Sequence, residues 1–438
     1  MTKLLQLAVL IAVSLTPAFA ADETPLVLHG ARLLTMGPAG NIEAGVVVVQ
    51  GGKIVAIGAS DEIAIPANAE TRDLAGKLVM PGLVDTHSHV GGGSGGDGAD
   101  PIQPDVRVLD SLNARSAGIQ RAQAGGITVA NVMPGSGHLC SGQTLYIKYR
   151  DGRTIDDLLL HDAEGNVLGG LKMANGTNPM RSKAPFPGTR AKSAALVRQT
   201  FVRAQEYRAK LEAAADDDEQ DPPARDLGLE ALVEALEGTR IVHHHTHRHD
   251  DILTVLRLAD EFGFRVVLHH VSEGWKVAEE IAARNVPCSI IVIDAPGGKL
   301  EARDLRLETG AVLERAGVQV AFHTDDWITD SRHFLRSAAL AVRAGMTRQK
   351  ALEALTIEPA RMLDLADRVG SLEVGKDADF IVLDGDPLSI YTKVEETWID
   401  GAKVFDRKRP QDRLWATGGF GAGHDANPGC CARQDWWR

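Results

Sequence analysis

Apolar runs of strand character alternate with helix-like stretches through the middle of the chain, and this alternation constrains the fold more than any other feature. The runs occupy residues 128–132, 239–242, 265–268, 289–293 and 318–322. Such alternation is typical of parallel βα units, and the span from 82 to 365 suits a barrel of this type, which typically takes about 250 residues before insertions. We therefore expect an α/β protein built on a (β/α)8 TIM barrel.

The two ends of the chain have a different texture. Short β-branched runs at 26–28, 46–49 and 54–57, separated by glycine-rich turns, predict a small antiparallel sheet. Similar runs return at 379–383 and 394–399, so we expect both ends to form one accessory β-sandwich. The predicted domains are a sandwich from 21–80 and 366–410, a barrel from 81–365 with a helical stretch at 189–237, and a C-terminal tail of unassigned structure, 411–438.

Residues 1–20 have the composition of a secretory signal peptide. Lys3 precedes an apolar stretch at 4–15, and Ala18-Phe19-Ala20 forms a small-x-small cleavage site. We expect a mature chain that begins near Ala21, in the periplasm or secreted. An uncleaved membrane anchor is the less favoured alternative, because the stretch is shorter than the roughly 20 residues that span a bilayer. No stable membrane span is expected after cleavage.

The acidic balance of the chain limits its partners. The formal net charge is -12, and the acidic groups are spread along the chain except for a cluster at 216–219. This distribution argues against nucleic acid or an anionic membrane as the main partner. We expect a small-molecule substrate, and homo-oligomerisation remains open.

The four cysteines have no metal-finger spacing. An exported protein can oxidise its thiols, so a disulfide between Cys140 and Cys288 remains open. The adjacent Cys430 and Cys431 pair poorly with each other, and we interpret the cysteines as structural or incidental.

Most of the histidines lie near the ends of predicted strands. They are His87 and His89; His243, His244, His245, His247 and His249; His269 and His270; and His323. The C-terminal ends of barrel strands open on one face, so these side chains should converge there. A His-x-His step on a strand sends both imidazoles to the same side, and imidazole and carboxylate are ligands of catalytic zinc. The pair His87 and His89, with Asp85 just before it, therefore predicts a catalytic divalent metal.

Two segments carry a family resemblance. Pro81-Gly-Leu-Val-Asp-Thr-His-Ser-His89 resembles the strand-one signature of the amidohydrolase superfamily, and Gly375-Lys-Asp-Ala-Asp379-Phe-Ile-Val resembles the return strand of its accessory sandwich. The resemblance extends over roughly 25–408. The chain is most similar to the imidazolonepropionase-like and prolidase-like branch, whose members hydrolyse amide bonds of cyclic or dipeptide-like substrates.

The resemblance implies further metal ligands beside His87 and His89. His245 falls at the strand-five ligand, with His243 and His247 as alternatives, and His270 falls at the strand-six ligand. Asp325 matches the strand-eight aspartate that binds metal and acts as general base, and Asp326 is the weaker alternative. Among the surrounding polar groups, His269 and His323 are expected to stabilise the oxyanion that develops on the substrate.

Lys172 in Gly170-Leu-Lys172-Met resembles a strand-four lysine that carries a carboxylate formed with carbon dioxide and bridges two metals. An unmodified ammonium has no lone pair to offer a metal. The alternatives are a lysine that binds a substrate carboxylate or one that caps the barrel. We therefore expect one or two divalent ions, zinc above others, and a carbamylated Lys172 in the binuclear case.

The expected function is that of an exported metal-dependent amidohydrolase, which cleaves a carbon–nitrogen bond in a dipeptide-like, N-acyl amino acid or cyclic amide substrate. Arg181 and Arg248 are candidates for binding a substrate carboxylate. One alternative is a non-catalytic exported protein that captures metal with the histidines of 243–249. Another is a deaminase or lactonase of the same superfamily.

Overall fold

The computed structural model describes residues 24–92, 96–217, 219–292, 299–326 and 328–417. The predicted signal peptide and the part of the tail from 418 onward lie outside these ranges. Within them, no helix has both the length and the apolar character needed to cross a membrane.

The described residues form strands and helices throughout. The strands are β1 (Leu26–Leu34), β2 (Asn41–Gln50), β3 (Lys53–Ala59), β4 (Glu70–Asp73), β5 (Leu78–Pro81), β6 (Leu83–Ser88), β7 (Ile127–Val132), β8 (Cys140–Gln143), β9 (Leu145–Lys148), β10 (Leu171–Ala174), β11 (Val242–Thr246), β12 (Val266–His270), β13 (Cys288–Ile290), β14 (Val320–Phe322), β15 (Phe380–Leu383), β16 (Val394–Ile399) and β17 (Ala402–Asp406). The helices are α1 (Ala117–Ala124), α2 (Arg190–Asp216), α3 (Leu227–Leu236), α4 (His249–Phe262), α5 (Ala278–Ala282), α6 (Thr309–Arg315), α7 (Leu335–Arg343), α8 (Arg348–Glu353), α9 (Ile357–Met362) and α10 (Pro410–Thr417).

Both chain ends enter one sheet of eight strands. Its order is β17-β16-β15-β5-β1-β2-β3, and β4 pairs with β1. β1, β2 and β3 are antiparallel neighbours, as the sequence predicts. β5 and β15 join the N-terminal and C-terminal parts, since they pair in antiparallel register. Side chains of this sheet, among them Val47 of β2, Phe380 of β15 and Trp398 of β16, form a hydrophobic core.

The middle of the chain forms two further sheets. β10 to β14 are parallel neighbours in a six-stranded sheet that β8 completes, and β6 and β7 are parallel in a three-stranded sheet with β9. The predicted parallel βα organisation is therefore present. Among the described residues the strands do not pair into one closed barrel. Beyond the end of β14, however, Asp325 N–H donates to the His87 carbonyl at 2.9 Å, which joins the two sheets.

The predicted strand at 239–242 is displaced in the structure. β11 begins at Val242 and continues through the three histidines that follow it, all of them buried. The apolar pattern ends at Val242 because the later side chains face an enclosed polar centre. Hydrophobicity therefore placed the end of this strand too early.

The helical stretch at 189–237 is confirmed as α2 and α3, with the exposed segment between them. Side chains cap both starts: the Thr189 hydroxyl accepts from Lys192 N–H, and the Asp226 carboxylate accepts from Gly228 and Leu229 N–H. These contacts satisfy amides that a helix start leaves without partners. The structure adds α10 (Pro410–Thr417), and all but its first residue lie in the tail of unassigned structure, 411–438.

The cysteine pair left open by the sequence does not form a disulfide. Cys140 on β8 and Cys288 on β13 are both buried free thiols. Burial raises the pKa of the Cys140 thiol to about 12, and it raises that of Cys288 as well. Both side chains therefore pack as neutral apolar groups.

A buried ion cluster ties the terminal sheet to β9. The Lys148 ammonium lies 2.7 Å from Asp377 Oδ2, 3.0 Å from Asp379 Oδ1 and 2.5 Å from Asp400 Oδ1. Lys148 is inaccessible to solvent. Burial by itself would lower its pKa, but the three carboxylates raise it above the ordinary value. The cluster holds the terminal sheet in one position against the strands that carry the histidines.

Candidate metal centre

His87 and His89 lie side by side at the end of β6. Their Nε2 atoms are 3.3 Å apart, and both side chains are buried. His89 Nδ1 lies 2.8 Å from the Met133 carbonyl, which leaves Nε2 facing the centre. The Asp85 carboxylate accepts from the backbone N–H groups of His87 and Thr324, so it ties the end of β6 to the segment after β14. Burial raises the pKa of Asp85 to about 7.

Asp325 is the carboxylate that faces this pair. Its Oδ1 lies 3.0 Å from His89 Nε2 and 3.5 Å from His87 Nε2, and its Oδ2 lies 3.9 Å from His270 Nδ1. Burial would raise its pKa, but the hydrogen bond from His89 and the charges around it hold the pKa well below the ordinary value. Asp325 therefore stays ionised. Asp326 instead accepts from the Ser331 hydroxyl at 2.5 Å.

Two residues of the centre have left-handed backbone conformations, which residues other than glycine rarely adopt. The φ angle is +47° at Asp325 and +71° at His270. Such conformations cost about 1–3 kcal/mol each and collect at functional sites. Here they turn the imidazole of His270, the last residue of β12, and the carboxylate of Asp325, which follows β14, toward the same point.

Lys172 on β10 is buried in the same centre. Its Nζ lies 3.2 Å from His87 Nε2 and 3.0 Å from Met133 Sδ. An ammonium at this place would donate to the His87 lone pair, which a metal also requires. Met133 is a contact that no sequence pattern indicated.

Other imidazoles surround His87. The rings of His269, His270 and His323 have centroids 4.9–5.0 Å from its ring. His323 Nε2 lies 3.2 Å from His270 Nδ1, and its Nδ1 lies 2.8 Å from the Ser289 hydroxyl. Burial lowers the pKa of His323 to about 3 and those of the other two well below the ordinary value. Neutral imidazoles keep the lone pairs that metal binding needs.

The three candidate histidines of 243–247 have different surroundings. Both ring nitrogens of His243 have hydrogen-bond partners, Tyr146 and His269. The His245 ring lies 4.3 Å from the His270 ring, and its Nδ1 has no hydrogen-bond partner among the described residues. His247 contacts the Ser272 hydroxyl and the Lys299 ammonium. Of the three, His245 is therefore the one with a buried ring nitrogen that has no hydrogen-bond partner in the described ranges, and its ligand atom groups with those of His247 and Glu301.

These donors fit a divalent ion. Three groups of side chains bring ligand atoms within 4.8 Å of one another: His87, His270 and Asp325; His87, His269 and His323; and His245, His247 and Glu301. Within the described ranges, several histidines have a buried ring nitrogen without a partner, among them His87, His245, His269 and His270. A buried polar atom without a partner needs an explanation, and an ion would satisfy those of these nitrogens that bind it. No sequence pattern pointed to Glu301, which the fold brings to His245 and His247 from a short 3₁₀ helix.

The two arginines proposed for a substrate carboxylate already have partners. The Arg248 guanidinium holds both oxygens of Asp250 at 3.0 and 2.8 Å. The Arg181 guanidinium donates to the carbonyls of Asn178, Met180 and Gly137. In the structure, both guanidinium groups are therefore engaged in contacts within the protein.

The chain is similar to known proteins in sequence and in fold. The model of the amidohydrolase family matches residues 78–404. The crystal structure of an amidohydrolase from Thermotoga maritima is 34% identical, with a TM-score of 0.81 over 87% of this chain and 100% of that one. An amidohydrolase of Hapsidospora irregularis, tasK, is 29% identical over 78% of this chain, which spans only 38% of that protein's length. An imidazolonepropionase of Erwinia tasmaniensis is 27% identical over 80% of this chain and 90% of its own.

Proposed function

The chain belongs to the amidohydrolase family, and on this basis we propose that it is an exported, metal-dependent enzyme that hydrolyses the amide bond of a small dipeptide-like, N-acyl amino acid or cyclic amide substrate. The observation that carries the proposal is the convergence of His87, His89, His270 and Asp325. These side chains come from three separate segments, and their donor atoms meet in one buried centre. An ionised carboxylate that can also accept a proton favours catalysis over metal storage.

The proposed architecture is a (β/α)8 barrel at 81–365 with an accessory β-sandwich from 21–80 and 366–410. In this arrangement the six-stranded and three-stranded sheets are two arcs of the barrel. The hydrogen bond from Asp325 N–H to the His87 carbonyl supports closure at one junction. The single terminal sheet supports an accessory unit built from both chain ends.

The proposed metal ligands are His87, His89, Lys172 as its carbamate, His245, His270 and Asp325. A bound divalent ion, for which zinc suits imidazole and carboxylate donors, would acidify water and polarise the substrate carbonyl. Asp325 accepts the proton of the attacking water and passes it to the leaving nitrogen. His269 and His323 donate to the oxygen on which negative charge develops.

A substrate screen on metal-reconstituted protein lacking residues 1–20 tests the function. The panel contains dipeptides, N-acyl amino acids, cyclic amides, aminated purines and lactones, with metal content measured on the same samples. We expect turnover in one of the amide classes. Several tightly bound ions without turnover would favour metal storage, and turnover confined to purines or lactones would favour the deaminase or lactonase alternative.

Replacement of Lys172 tests the number of metals. Lys172→Met is expected to lower the metal content from two ions per chain to about one, because a carbamate that joins two ions is lost. Intact mass of the unaltered protein should exceed the sequence mass by one carbon dioxide, and acid should remove it. Lys299→Met is the matched control, since Lys299 contacts His247 but is outside the proposed ligand set. Equal metal content in all three proteins would contradict the bridging role.

A further inference from the structure

Tyr146, His243 and His269 form a hydrogen-bonded chain that ends at the candidate metal centre. Tyr146 Oη lies 2.9 Å from His243 Nε2, and His243 Nδ1 lies 3.0 Å from His269 Nε2. All three side chains are buried. The proposed mechanism uses His269 but assigns nothing to the other two residues.

The proton positions along this chain follow from its two ends. Among the described residues, His243 is the only hydrogen-bond partner of the Tyr146 hydroxyl. Burial raises the pKa of Tyr146, so its O–H remains protonated. A buried hydroxyl proton requires an acceptor, so Tyr146 donates to His243 Nε2. In a neutral imidazole the other nitrogen then carries the proton, and His243 Nδ1–H donates to His269 Nε2.

The same reasoning fixes the protonation of His269. Its Nε2 accepts from His243, so in the neutral ring the proton resides on Nδ1. That nitrogen has no hydrogen-bond partner among the described residues. A ring nitrogen of His269 lies within 4.8 Å of ring nitrogens of His87 and His323. The available nitrogen of His269, Nδ1, is therefore an N–H donor on a ring whose centroid lies 5.0 Å from that of His87.

Close packing keeps His243 in this orientation. A Cβ atom at Gly170 would lie 2.3 Å from His243 Cδ2, so the ring lies directly over the glycine backbone. The rings of Tyr146 and His243 meet edge to face at 86°. The chain thus acts through a rigid ring.

We infer that Tyr146 and His243 are positioning residues that hold His269 as its Nδ1–H tautomer, so that His269 donates to the substrate oxygen and does not ligate a metal. The inference rests on the proposed function for the identity of the acceptor. It also assigns different roles to two histidines near His87. His269 donates to the substrate and His270 binds metal, although their rings are about equally near the ring of His87.

The tautomer can be measured without turnover. Ring ¹⁵N spectra of the metal-loaded protein, with His269 assigned by loss of its signals in His269→Gln, should show Nδ1 protonated and Nε2 unprotonated. Metal content of His269→Gln should equal that of the unaltered protein. A metal-bound or unprotonated Nδ1, or the loss of an ion in His269→Gln, would overturn the inference and leave the hydrolase proposal standing.

Kinetics of two His243 variants test the positioning role. His243→Asn keeps an N–H near the place of Nδ1, whereas His243→Leu removes it. Removal of one oxyanion donor costs about 10²- to 10³-fold in kcat, so His243→Leu should lower kcat at least about tenfold with KM and metal content unchanged. His243→Asn should recover most of the loss. Tyr146→Phe should lower kcat less and give a mixed His269 tautomer signal.

The control is Tyr207→Phe, which removes a hydroxyl of α2 that contacts Glu230 of α3 and is outside the proposed site. It should leave both kcat and the tautomer unaltered. If His243→Leu and His243→Asn lose activity equally while the His269 tautomer stays the same, His243 has only a packing role.

Discussion

Asp325→Asn is expected to lower kcat by about 10²- to 10⁴-fold, the usual contribution of a general base, while the protein still binds metal. The amide oxygen of asparagine keeps a lone pair for an ion, but asparagine cannot accept the proton of the attacking water. Measurement of kcat and metal content on the same preparation separates these two roles. Full activity in this variant would exclude Asp325 as the base.

Asp326→Asn is the matched control for that experiment. Asp326 is also buried, and burial raises its pKa to about 6, but its carboxylate accepts from Ser331 rather than facing the His87 and His89 pair. The control should therefore retain metal and most of its activity. A loss as large as that of Asp325→Asn would show that charge near the centre, rather than the position of one carboxylate, governs turnover.

Lys148→Met is expected to lower the free energy of unfolding by about 3–5 kcal/mol, the cost of removing one partner from a buried ion pair. The variant leaves Asp377, Asp379 and Asp400 without the cation that lies among them. Denaturant unfolding at neutral pH measures the loss. Lys350→Met is the control, because Lys350 pairs with Glu353 at the surface and such pairs contribute under about 1 kcal/mol.

The loss of unfolding free energy in Lys148→Met should become smaller as the pH falls. Burial would raise the pKa of Asp377, but Lys148 and Lys53 lower it below the ordinary value. A carboxyl group with a lowered folded pKa stabilises the protein above its unfolded pKa, and this contribution disappears as pH falls through the folded pKa. The difference between Lys148→Met and the unaltered protein should therefore narrow in acid. A difference that is constant with pH would indicate a packing defect instead.

The sequence determined the family and the outline of the fold. Alternating apolar runs gave the parallel strands, because a buried strand needs apolar side chains on both faces. Two short motifs gave the amidohydrolase relationship and the class of enzyme, which the family model confirms over residues 78–404. The predicted helical stretch and the single β unit from both chain ends are also present. These features depend on local composition, which a sequence displays directly.

Only the tertiary structure determined the contacts between residues that are distant along the chain. In the structure, β11 extends through its histidines, and Cys140 and Cys288 are free thiols. Asp325, rather than Asp326, lies beside His89. The fold also brought Tyr146 to His243, and Glu301 to His245 and His247. The sequence does not distinguish one histidine of a run from the next. A metal ligand differs from a hydrogen-bond donor in the partners of its ring nitrogens, and these partners lie on strands that meet only when the chain folds. The role of each histidine or aspartate among neighbours of the same type therefore depends on the tertiary structure.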